Sequence, residues 1–190
     1  LFLFYAESRG LLPLDNPSYR QQYSLKAIKE DIAAKLDAGV AFLPRKATLC
    51  DDLKTLFGII YEGSQALGVP AYNGGLFDVA KHPFLETHTI GDRYLAQTID
   101  LLARAEAKPG QGLSFVDYRD LEIRHLGSIY EGLLEYRLQM ADDGVQVELV
   151  TERGERKATG SYYTPDYIVK YIVEQTLGPL ADVQSEAVEK

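Results

Sequence analysis

The sequence predicts a mainly α-helical protein that closes with a short β-hairpin and one further helix. Three observations carry that prediction. Four stretches repeat apolar residues at helical spacing with no strand pattern between them, one later stretch alternates apolar and polar residues, and a Thr-Pro pair then opens a last amphipathic stretch. Apolar residues make up 46% of the 190, enough to bury a sizeable core and too many for disorder throughout.

The elements follow in order. "YSLKAIKEDIAAKLDAG" places Leu25, Ile28, Ile32 and Leu36 on one helical face, with Ser24 as N-cap and Gly39 as the stop. "TLCDDLKTLFGIIYEGSQALG" continues the spacing through Leu49, Leu53, Leu56, Ile60 and Leu67, and "GDRYLAQTIDLLARAEA" through Leu95, Ile99 and Leu102. "EAKPGQGLS" reads as a loop between helices. "DYRDLEIRHLGSIYEGLLEYRLQ" predicts one long helix with Leu126, Ile129, Tyr130, Leu133 and Leu134 inward. Between the second and third helices, Asn73-Gly74-Gly75 favours positive φ and a tight turn. "GVQVELVTERGERKATGSYY" alternates Val145, Val147 and Leu149 and then turns at Arg153-Gly154, which predicts a β-hairpin. Beyond it, Thr164 caps a helix that begins at Pro165, gains favourable charge from Asp166 and ends at Gly178-Pro179. Its apolar face is Ile168, Val169, Ile172, Val173 and Leu177, with nothing obvious to cover it, so self-association is an option. The predicted organisation is a helical domain over 1–142 and a second part over 143–190.

Lys and Arg number 20 against 28 Asp and Glu, a net charge of −8 that excludes a surface basic overall but leaves room for a local cationic groove. The single cysteine, Cys50, excludes an internal disulfide or a cysteine-ligated zinc site and reads as a small buried residue on a helix in a reducing, cytoplasmic setting. The opening "LFLFYAESRGLLP" is too short in apolar residues for a signal core or a membrane span, so no membrane partner is expected. An apolar segment at the first residue is expected of a piece of a longer protein.

No catalytic residue is assigned. Asn16-Pro17-Ser18-Tyr19 is given no catalytic role, since Asp15-Asn16-Pro17 is ordinary turn chemistry ahead of a helix, and Gly110-Gln111-Gly112 lacks the third glycine of a dinucleotide loop. Asp143 with Glu155, Arg156 and Lys157 reads as a turn and a solvated hairpin tip rather than a cation site. Arg153, Arg156 and Lys157 are the local cation cluster. His82, His88 and His125 have no metal-ligand spacing, and His125 reads as a packing residue on a helix. No metal ligand is assigned. The stretch that helix capping leaves unexplained is Tyr162 and Tyr163, beside Gly160 and Ser161, on the approach to a helix N-terminus suited to a carboxylate.

"TGSYYTPDYIVKYIVEQTL" resembles motif X of the DNA adenine-N6 methyltransferases in which that motif precedes the cofactor loop. "LFLFYAESRGLLPL", "YNGGLFD" and "DYRDLEIRHLGSIYEGLLEYRL", in this order, resemble the helical region ahead of the methyltransferase domain in type IIG restriction–modification enzymes and related phage-defence methyltransferases. The resemblance spans most of the chain. It implies a helical connector domain and, after the hairpin, the first helix of a methyltransferase domain. It further implies S-adenosylmethionine as cofactor, double-stranded DNA as partner, and Tyr162, Tyr163, Thr164 and Pro165 as cofactor-side residues. The family's cofactor loop and its Asn-Pro-Pro-Tyr tetrapeptide do not occur among these residues, so the chain alone is expected to be inactive. A nuclease, with Mg2+, would belong to a domain outside this chain. Two alternatives stand beside this reading: a phage-defence methyltransferase without nuclease, and a non-enzymatic α-helical interaction module.

Overall fold

The computed structural model describes residues 1–72, 74–108, 110–134, 136–141, 147–151 and 164–181. About half of the described residues are helical, joined by two small antiparallel sheets. The chain divides into two units, Leu1–Leu121 and Glu122–Lys190.

The first unit holds α1 (Phe2–Ser8), α2 (Pro17–Gln22), α3 (Leu25–Asp37), α4 (Thr48–Glu62), a 3-10 turn (Val79–Lys81), α5 (Pro83–Thr87), α6 (Asp92–Ala103), β1 (Arg104–Glu106) and β2 (Leu113–Phe115). Helix α3 packs on α1, α2, α4 and α6, and α6 also packs on α4 and β1. The periodic residues supply the core: Ile32, Leu56, Ile60 and Ala96 are fully buried, joined by Leu3, Phe4 and Tyr19 from the two short helices. Cys50 is buried on α4, as the sequence predicts. Helix α3 matches its prediction at both ends. Ser24 Oγ accepts from the Ala27 amide at 3.0 Å, and Gly39, at φ +72°, lets the Val40 amide return to the Lys35 carbonyl at 2.8 Å.

Three sequence expectations in this unit are corrected. Helix α4 stops at Glu62 rather than running through Leu67, because Gly63 takes φ +79° and the Ile60 carbonyl accepts the Tyr72 amide at 2.9 Å. Leu67 reaches the core from the following turn instead. Residues 104–115 are not a helix end and a loop but a β-hairpin, with Arg104 opposite Phe115 and Glu106 opposite Leu113, so strands do intervene between the helices. Gly74 and Gly75 do not take positive φ, and Asn73 lies outside the described residues.

One backbone approach was invisible to periodicity. The Pro44 carbonyl oxygen sits against Gly91 so closely that a Cβ there would overlap it, and the adjoining Asp92 amide donates to the Lys46 carbonyl at 2.7 Å.

The second unit holds α7 (Ile123–Leu134), β3 (Tyr136–Met140), β4 (Val147–Thr151) and α8 (Asp166–Thr176). The long helix predicted through Gln139 ends at Leu134. Tyr136–Met140 is a strand, and the strand predicted around Val147 and Leu149 pairs upstream with it: Leu138 faces Leu149 and Met140 faces Val147. The competing signal was local, since "YRLQM" alternates as well as it continues a helix. The turn predicted at Arg153-Gly154 lies outside the described residues. Ile129 and Leu133, expected inward, are exposed, as is His125, whose Nδ1 accepts from the Glu122 amide at 3.2 Å.

Candidate functional site

The four residues implied as cofactor-side divide between the described and the undescribed chain. Tyr162 and Tyr163 lie outside the described residues. Thr164 and Pro165 are exposed at the head of α8. Their local roles differ from the prediction by one position: Pro165, at ψ 141°, is the N-cap and Asp166 the first helical residue, so Thr164 stands before the cap and makes no capping bond. The Pro165 carbonyl accepts the Ile168 amide at 2.9 Å and the Val169 amide at 3.1 Å, which closes the first turn. Asp166 adds its negative charge there and pairs with Lys170 at 2.9 Å. Pro165 has no side-chain donor or acceptor to cap the first turn, and Thr164, Pro165 and Asp166 are exposed there.

The far end of α8 departs from the expected clean stop. After Leu177 the chain makes another helical turn over 178–181, with the Ala181 amide donating to the Leu177 carbonyl at 2.9 Å. Pro179 has no amide hydrogen, so the ladder breaks there without ending the helical path. Along α8, Val169, Ile172, Val173 and Leu177 are all more than two-fifths exposed.

The other candidates resolve into structural roles. Asn16 Oδ1 accepts the Ser18 and Tyr19 amides at 2.9 and 3.2 Å, capping α2, while its Nδ2 donates to the Leu67 carbonyl at 3.0 Å. Tyr19 is fully buried, so its ring offers no face to a base. Gly110 and Gly112, at φ +82° and +77°, belong to the β1–β2 connection. His82 Nε2 bonds the Gly75 carbonyl at 3.0 Å and His88 stacks on Phe84. Among the described residues, no group of three His, Cys, Asp or Glu is placed to hold a metal ion. Asp143, Arg153, Glu155, Arg156 and Lys157 lie outside them.

What sequence reading missed is a set of buried polar ties. Glu7, 7% exposed, accepts the Leu25 amide at 2.7 Å, the Lys26 amide at 2.8 Å and the Tyr19 hydroxyl at 3.0 Å, so α1 caps α3. Burial raises the Glu7 carboxyl above its ordinary range, against the pull of those donors and of Lys29. Burial and the Glu7 carboxylate together push the Tyr19 phenol well above its usual value. Asp92 Oδ1 accepts the Leu49 amide at 2.8 Å, so α6 caps α4. Arg104 binds Asp100 at 2.6 Å and Asp37 at 2.8 Å; these two carboxylates hold its guanidinium more firmly protonated than usual. The partners are 18, 43 and 67 residues apart, beyond any local spacing rule. A half-open apolar groove of about 470 Å³ in the first unit, walled by Phe2, Cys50, Phe57, Phe77 and Phe84, also had no local signal.

No protein-family model, curated protein or solved structure matches the chain. No helix among the described residues is long and apolar enough to cross a membrane.

Proposed function

We propose that this chain is the helical connector and the opening of the methyltransferase domain of a DNA adenine-N6 methyltransferase of the type IIG restriction–modification kind, which transfers methyl from S-adenosylmethionine to adenine in specific DNA. The observation that carries the reading is "TGSYYTPDYIVKYIVEQTL", preceded in order by the three further stretches that resemble the same region of those enzymes. The exposed N-terminus of α8 supports a role beside the methionine carboxylate, because helix amides and the helix dipole favour an anion. The bare apolar face of α8 supports membership of a larger domain. In this reading Tyr162, Tyr163, Thr164 and Pro165 form one cofactor wall. The adenine is flipped out of the duplex, and its amino nitrogen is held in line with the sulfonium methyl by groups elsewhere in the protein. The 190-residue chain alone transfers no methyl.

The uncovered apolar surfaces also favour a second reading, a non-enzymatic helical interaction module. One experiment separates the two. The product of the whole reading frame containing these residues is incubated with plasmid DNA and tritiated S-adenosylmethionine, wild type beside the Tyr163→Ala/Thr164→Ala double variant. Label in N6-methyladenine is expected, with the cofactor KM raised about tenfold in the folded variant. No label in adenine sinks the transferase. Label with unchanged kinetics removes the Tyr-Thr-Pro stretch from the cofactor site.

A further inference from the structure

Arg9 and Arg119 are remote in sequence, yet they line one open cleft of about 760 Å³ in the first unit, together with Ser8, Gly10 and Asp15. The two side chains tie the two segments together: Arg9 Nη1 donates to the Arg119 carbonyl at 3.4 Å, and Arg119 Nε donates to the Ser8 carbonyl at 3.3 Å. That occupies one donor on each side chain and leaves roughly four of its five N–H groups. Among the described residues neither guanidinium is in an ion pair.

Both arginines stand on anchored backbone. On one side the Gly10 amide donates to Glu7 at 3.1 Å, the Leu11 amide to Ala6 at 2.9 Å, and the Tyr72 hydroxyl to the Leu11 carbonyl at 2.7 Å. On the other, Asp117 accepts the Arg119 amide at 2.9 Å. Tyr118 stacks on Phe4 with ring centroids 5.2 Å apart and donates to the Leu102 carbonyl at 2.6 Å. Two guanidiniums that line one cleft add their attraction for an anion there, and the anchored backbone beneath them lowers the ordering cost of binding one. The carboxylates of the lining do not fill that role. Glu7 turns both oxygens to α3, and Asp15 is exposed and pairs with neither arginine.

We infer that the Arg9–Arg119 cleft binds a phosphate group. A carboxylate has two oxygens, which a single guanidinium fork satisfies, whereas a phosphate presents enough oxygens to engage both arginines at once. The inference goes beyond the methyltransferase reading and stands without it. The phosphate belongs either to the backbone of duplex DNA or to a free phosphate.

The test is calorimetric titration of the 190-residue chain with inorganic phosphate at low ionic strength. Wild type is compared with Arg9→Ala, Arg119→Ala, Arg119→Lys and, as a control at an exposed arginine outside the cleft lining, Arg45→Ala; circular dichroism checks the fold. Binding at one site is expected, at least tenfold weaker in the two cleft alanine variants, intermediate in Arg119→Lys and unchanged in Arg45→Ala. If an alanine variant unfolds, Arg119→Lys decides by the same comparison. Repeating the titration with a short duplex present assigns the source: loss of phosphate binding assigns the DNA backbone, and unaltered binding assigns a free phosphate. Absence of phosphate binding, or equal binding by the folded cleft variants and wild type, overturns the inference.

Discussion

Helix α4 in the first unit and helix α8 in the second are built on the same apolar spacing, but their fates differ. Along α4, Leu56 and Ile60 are fully buried against α3 and α6. Along α8, Ile172 is half exposed, and in the β3–β4 hairpin Leu138, Leu149, Met140 and Val147 form one apolar face that is everywhere more than half exposed. Amphipathic periodicity therefore specifies that a face wants covering, not that it is covered. Buried polar ties also hold the first unit. In the first, Glu7, Ser24, Asp92 and Arg104 are buried and bonded, three of them across elements. In the second, the exposed Asp166–Lys170 pair lies within a single helix.

That contrast is sharpest in stability. Leu56→Ala removes a fully buried side chain and leaves a cavity among three helices, so urea unfolding followed by circular dichroism is expected to show a loss of about 3 kcal/mol. A loss below about 1 kcal/mol would mean that the first unit is packed no better than the second.

The next effect is electrostatic. Glu7→Gln places an amide NH2 where the carboxylate accepts from helix amides and Tyr19, at an expected cost near neutral pH of about 2 kcal/mol. The pH dependence carries a definite sign. Because burial raises the folded Glu7 carboxyl above its ordinary 4.5, the native state holds that proton more tightly than the unfolded chain. The pH-dependent part of its contribution is complete below about 4.5 and is lost as pH rises through the folded value. The stability of wild type relative to Glu7→Gln should therefore decline across that window. A relative gain with pH there would contradict the burial account.

The smallest effect belongs to α8. Ile172→Ala should shift the unfolding free energy of this chain by no more than about 0.5 kcal/mol, since its side chain is half in water already. A loss comparable to that of Leu56→Ala would show that the face is covered in solution and would erase the comparison.

By itself the sequence determined the mainly helical class, the N- and C-terminal signals of α3, the burial of Cys50 and the amphipathic face of α8. These are local properties, set by side-chain period and by which residues satisfy free amides within a few positions. It also singled out Thr164 and Pro165, placing the cap one residue early. Tertiary structure decided the rest. "YRLQM" became a strand because a partner strand was available to pair with it, and residues 104–115 closed into a hairpin for the same reason. Glu7 on α3, Asp92 on α4, Arg104 on Asp37, Pro44 against Gly91 and Arg9 beside Arg119 are long-range meetings. No spacing rule encodes them, because hydrogen bonds, charge and excluded volume act through space on whatever residues the packed helices bring together.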